Sequence, residues 1–153
     1  MQSIIDLYME SLSRIGITPV MTVADSAQFK ERTDAYDFDM VYYRRGLSLS
    51  PGNEQYNYYG SEFANEVGGR NLMGVQSAAA DAMIGRLLTS ESQDDFVAAV
   101  KALDRVLTAG RYVIPIYQWN VSRIAQAKEL KHPDYIPIFG DWPGWQPDVW
   151  WYE

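Results

Sequence analysis

The chain has no cysteine, so disulfides and thiolate metal sites are excluded. Its single histidine, His132, is followed by Pro133 in a charged stretch and reads as a surface residue. No second His-bearing segment exists to complete a serine triad, and no His/Cys/Asp cluster has metal-ligand spacing. Basic residues are outnumbered, 13 Lys and Arg against 20 Asp and Glu for a net charge of −7. Nucleic-acid binding, which needs a basic patch, gains no support from this balance. No apolar run reaches the length of a membrane-spanning helix. The start, "MQSIIDLYMESLSRIG", is amphipathic and acidic, without the basic start, apolar middle and small-residue cleavage site of a signal peptide.

Nucleotide and catalytic signatures are equally sparse. "VGGRNLMG" lacks the Lys-Ser/Thr ending of a P-loop and the strand that precedes a dinucleotide fingerprint. "GLSLSPG" sets serines near glycines without forming the G-x-S-x-G elbow. Asp94 and Asp95 open a helix, where the dipole accounts for them. Asn120-Val121-Ser122 matches the glycosylation pattern, but so short a match is common by chance. The residues thus imply no metal, no cofactor and no catalysis.

What is present is an ordinary globular composition, 47% hydrophobic and 22% charged over 153 residues, enough for one domain with a core. Aromatics reach 14%, and four of the five Trp fall between Trp142 and Trp151. Tyr and Trp join an apolar body to a polar handle and suit surfaces that are packed on one side and meet a ligand or partner on the other.

Along the chain, Ile4, Tyr8, Leu12 and Ile15 repeat at helical spacing, and Gly16 is placed to stop that helix. "ITPVMTVA" reads as a strand, Asp25 or Ser26 as the cap of a helix through Ala35, and "YDFDMVYY" as a buried strand. Helix, strand, helix, strand is the sequence form of a parallel α/β unit. Ser48 to Gly74 is rich in Gly, Asn, Ser and Tyr, with room for a short turn in "QYNYYGSEFA". Two helices follow, Val75 to Leu88 with Ala79, Met83 and Leu87 on one face, and a second capped by Ser92 with a stripe of Phe96, Val100, Leu103 and Leu107. "RYVIPIYQWN" reads as a strand interrupted by Pro115, and "VSRIAQAKEL" as either its hairpin partner or, from its alanines and lysine, a helix. The tail from His132 has four prolines and cannot be one helix or one central strand. Its "FGDWPGWQPDVWWYE" suits core, interface or ligand wall, packing being favoured.

In parallel α/β sheets ligands sit beyond the carboxyl ends of the strands. That places a candidate binding site at Tyr42, Tyr43, Arg44, Arg45, Ser48, Ser50, Asn57 and Tyr58. The arginines can grip a carboxylate or phosphate, the Ser and Asn side chains supply neutral hydrogen bonds, and the tyrosines flat walls. The plain alternative is a strand-end loop with solvated arginines.

Three segments in this order, "LYMESLSRIGITPVMTVADSAQFKERTDAYDFDMVYYRRG", "AAADAMIGRLLTSESQDDFVAAVKALDRVLTAGRYVIPIYQWNVSRIA" and the ending "PDVWWYE", resemble the carboxy-terminal part of extracellular solute-binding proteins of family 5. These are the substrate-binding components of bacterial peptide-type ABC importers, and the likeness is to the oligopeptide and microcin C branch. The resemblance implies an α/β fold, a partial periplasmic-binding-protein-like lobe with a mixed sheet flanked by helices. Residues 1–153 would be one segment of a two-lobed protein that closes on an oligopeptide or peptide-like solute and delivers it to an ABC permease in the inner membrane. It also implies a periplasmic location, a start downstream of any signal peptide, packing against the N-terminal remainder of the same protein, and self-association of the fragment through open edges.

In peptide-binding relatives the segment after the "FD" strand carries a Trp and then an Asp that holds the peptide's amino terminus. Here "YYRRGLSLSP" has neither and carries Arg44 and Arg45 instead. A ligand group that is neutral or anionic is expected there: a blocked amino terminus, a carboxylate or a phosphate. Tyr117, Trp119 and Asn120, after the second family strand, form a further candidate set. Two other readings stand beside this one: an independent α/β hydrolase using the Ser48/Ser50 region, and a structural or sensory relative without ligand affinity.

Overall fold

In a computed structural model, the structure describes residues 2–46, 50–116, 123, 125–134 and 150–153. It divides into two units, Met1–Val41 and Tyr42–Glu153. The first is helical. Helix α1, Gln2–Ser13, keeps its apolar side half-buried and has no buried residue. The chain turns out of it through Gly16, whose φ of +83° suits glycine. Helix α2, Ser26–Asp34, is capped by Asp25, whose carboxylate accepts the Ala27 and Gln28 N–H groups at 2.9 Å.

The second unit holds the core. Helix α3, Glu54–Tyr59, runs into a 3-10 turn, Ser61–Phe63, then α4, Ala78–Leu88, and α5, Gln93–Gly110. Ser77 caps α4 through the Ala80 N–H and Ser92 caps α5 through the Asp95 N–H. Helices α4 and α5 form an antiparallel hairpin, tied at its turn by Arg86, which grips both Asp95 oxygens at 2.8 and 2.6 Å. Val75, Ala80, Ile84 and Leu103 make the buried cluster, flanked by Tyr56, Tyr59, Met73, Met83, Val106, Leu107 and Tyr112.

The loop that enters α4 is held by Asn71, which is wholly buried. Its amide donates to the Gly60 and Val75 carbonyls at 3.0 Å each, and its oxygen accepts the Val75 N–H at 2.9 Å. Asp81 reinforces this from α4 by accepting the Ser61 N–H at 2.9 Å.

The helices thus fall where periodicity places them, with one shift of face. In α4 the buried residues are Ala80, Ile84 and Leu87, while Ala79 is exposed and Met83 only partly covered. The helix starts at Ala78, after the Ser77 cap, rather than at Val75, and the face it buries is the one that packs with Val75 and with Leu103 of α5.

The strands are a larger correction. Described residues of "ITPVMTVA", "YDFDMVYY" and "RYVIPIY" form no strand, and the βαβ unit expected of the first 43 residues is not built. Among the described residues the only sheet is one antiparallel pair, β1 (Leu130–Lys131) with β2 (Trp151–Tyr152). Leu130 pairs with Tyr152 of the tail, and residues 117–120 of "RYVIPIYQWN" lie outside the described residues. The small helical-plus-sheet composition is compatible with a partial α/β domain, but no mixed sheet occurs among the described residues. A strand needs a neighbour to take its N–H and C=O groups, and none is supplied among the described residues. The same segments leave their apolar side chains in water: Val20 is 88% exposed, Met40 59% and Val113 59%.

Among the described residues no helix is long and apolar enough to cross a membrane. His132 is exposed, with its ring 5.1 Å from that of Trp150.

Candidate functional site

Helix α3 sorts its tyrosines by spacing. Tyr56 and Tyr59, three apart, pack on the core cluster. Tyr58 points off that face, beside the exposed Asn57.

Arg45 lies against Tyr58. Its guanidinium carbon is 3.3 Å from the Tyr58 ring centroid and 5.4 Å from that of Tyr59. One terminal nitrogen donates to the Tyr59 hydroxyl at 3.0 Å. The Nε is buried and makes no hydrogen bond among the described residues. A partly desolvated cation on a tyrosine face is worth about 1–2 kcal/mol.

Arg70 reaches the far end of the same tyrosine, donating to the Tyr58 hydroxyl at 3.3 Å. The loop that carries it turns at Gly68, where φ is +74°. This loop and α3 enclose an open hollow of about 350 Å³ lined by Asn57, Phe63, Glu66, Val67, Gly68, Gly69 and Arg70.

The charges here are unevenly matched. Among the described residues neither Arg45 nor Arg70 makes a salt bridge. Glu54 lies near Arg45 and is held below the usual carboxyl range. Burial works to raise it, and is outweighed by hydrogen bonds from the Gly52 backbone, the Gln55 side chain and its own backbone, and by the Arg45 charge.

Of the residues the sequence nominates, the structure brings Arg45, Asn57 and Tyr58 to this place. Tyr42, Tyr43 and Arg44 are exposed just before it, and Ser50 is exposed in the loop leading to α3. Ser48, Tyr117, Trp119 and Asn120, with the glycosylation pattern, lie outside the described residues. Sequence reasoning passed over Arg70 and Glu66 because they stand in a glycine-rich stretch read only as a loop. The signal available was a charged residue on each side of "VGG".

Chemically the site offers two planar cations, Arg45 and Arg70, an aromatic wall, an amide and the carboxylates of Glu54 and Glu66, which is equipment for binding. Among the described residues no group of three His, Cys, Asp or Glu side chains is placed to hold a metal.

No family model matches the chain. It is 42% identical over 144 residues to the protein y4wM of Sinorhizobium fredii, covering 94% of this chain and 21% of that one. It is 38% identical over 144 residues to two proteins of Agrobacterium fabrum, named "Probable peptide-binding protein YejA" and "Peptidoglycan-binding protein YepA", covering 94% of this chain and 23% of each. The chain thus spans less than a quarter of the length of the curated relatives it matches, and the two Agrobacterium relatives are named as binding proteins.

Proposed function

We propose that the chain is the C-terminal segment of the substrate-binding component of a bacterial ABC importer for oligopeptides or peptide-like solutes. One observation carries this reading: 94% of the chain aligns with a protein named for binding peptides and with another named for binding peptidoglycan. The capture step is closure of two lobes, in which ligand contacts on both sides favour the closed form. Delivery to an inner-membrane permease follows, from a periplasmic location. The finer fold of the reading is a periplasmic-binding-protein-like lobe whose mixed sheet is completed by the N-terminal remainder. The exposed apolar segments around Val20, Met40 and Val113 support it, because they have the composition of strands and pair with no strand among the described residues. Left alone, they favour self-association.

Arg44 and Arg45 favour a ligand that is neutral or anionic where it meets them. Peptides of peptidoglycan fit that demand, since their amino termini are amide-linked.

The test is binding of a mixed oligopeptide pool to this chain and, in parallel, to the full-length product of its gene. Binding by the long form alone supports a fragment with a split pocket. Binding by neither refutes the peptide reading, and tight binding by this chain alone refutes the split pocket. Matched peptides with free and formylated amino termini then address the arginines, and preference for the free amine sinks their assignment.

A further inference from the structure

Two residues of opposite charge line the hollow beside Tyr58 without pairing. Glu66 and Arg70 both line it, yet no salt bridge joins them within 4.0 Å. The Glu66 carboxylate has no hydrogen bond or ion pair among the described residues, and Arg70 spends one nitrogen on the Tyr58 hydroxyl. The rest of the lining is apolar at Phe63 and Val67, an amide at Asn57, and two glycines that leave backbone open to approach.

Its volume, about 350 Å³, lies at the lower end of the range for small-molecule sites, which run from about 300 to 1,000 Å³. A purely anionic ligand would meet Glu66, and a purely cationic one would meet Arg70. A ligand bearing both charges satisfies the two together.

The geometry points to an amino-acid head group as the occupant, an ammonium and a carboxylate on one carbon. The carboxylate pairs with Arg70 and the ammonium with Glu66, while Phe63 and Val67 cover the attached carbons. Arg45 pairs with neither charge of this head group. It stacks on Tyr58 and so holds the hydroxyl that steadies Arg70, which makes it a positioning residue.

This inference rests on the peptide-type reading and deepens it. A linear peptide separates its ammonium from its carboxylate, so the head group belongs either to a free amino acid or to a diamino-acid residue linked through its side chain.

The experiment is amide-shift NMR on the labelled chain, following Gly68 and Gly69 during titration with leucine, N-acetylleucine and leucinamide. Leucine is expected to give saturable shifts, with each blocked form about ten-fold weaker, as for loss of one charge-assisted pair. Arg70→Gln is expected to remove the preference for leucine over leucinamide. Glu66→Gln is expected to remove the preference for leucine over N-acetylleucine. Both residues are exposed, so spectra elsewhere should hold. Equal binding of leucine and N-acetylleucine would reduce the site to a plain anion contact and overturn the proposal, as would no saturable shift at all.

On the longer protein, an N-acetylated peptide joined through the side-chain amine of a terminal lysine is compared with free leucine. Tighter binding of the peptide assigns the head group to a peptide, and tighter binding of leucine to a free amino acid. Failure of all peptides with leucine shifts intact would refute the peptide reading and leave this site standing. Peptide binding indifferent to both variants would do the reverse.

Discussion

Replacing Asn71 with alanine tests the account of how the loop beneath the site is held. The side chain is fully buried; its amide donates to the Gly60 and Val75 carbonyls and its oxygen accepts the Val75 N–H. Each bond is worth about 1 kcal/mol net, and a buried group left without a partner costs roughly 1–3 kcal/mol. Water can reach some of the opened space, so the expected loss is about 3–4 kcal/mol, a large share of the roughly 5–15 kcal/mol that stabilises a domain. Asn71→Asp should be no milder, because it keeps the acceptor for Val75 but sets a carboxylate against two carbonyl oxygens. The assay is urea unfolding followed by far-ultraviolet circular dichroism, with the slope required to stay constant. A loss under about 1 kcal/mol for the alanine variant would refute the claim that this amide holds the loop to α4.

Three further outcomes follow from the same packing. Gly85 lies inside α4, and a Cβ there would sit 3.5 Å from the Tyr56 hydroxyl, an ordinary contact. Gly85→Ala should therefore stabilise the chain by about 0.5–1 kcal/mol through helix propensity, and a fall in melting temperature would contradict this. The Arg86–Asp95 grip is partly exposed, so Arg86→Ala should cost about 0.5–1 kcal/mol at low salt and less in 1 M salt; a loss that does not change with salt would argue against an electrostatic origin. Glu54 has a depressed folded pKa against an ordinary value of 4.5, so its contribution is present above that value and lost as pH falls through the folded one. Glu54→Gln should be less stable than the parent near pH 6 and converge with it under acid unfolding, and a gap that is constant with pH would refute the shift.

The helices were legible because their signals are local. Ser92 and the paired aspartates announce α5, Asp25 announces α2, and the apolar spacing needs no partner to be read. The strands were legible only as composition. "YDFDMVYY" has the residues of a buried strand, but a strand exists only when its ladder is completed, and among the described residues it is not. For the site, Arg45 and Tyr58 could be nominated because they follow the strand pattern in sequence. Their stacking depends on α3 turning Tyr58 away from the core, which no spacing rule gives without the position of α4. Arg70 and Glu66 reach the hollow only through the loop that Asn71 anchors, so their role was hidden in a stretch that reads as glycine-rich linker.

The core has a kinetic consequence. Val75, Ala80, Ile84 and Leu103, with the tyrosines of α3, lie close together in sequence, and such local contacts form early because little loop entropy must be lost. The helical hairpin is therefore expected to condense first. On the proposed reading, the apolar segments around Val20, Met40 and Val113 are covered later, when strands of the longer protein arrive. During that interval they are open to the wrong strand as well as the right one.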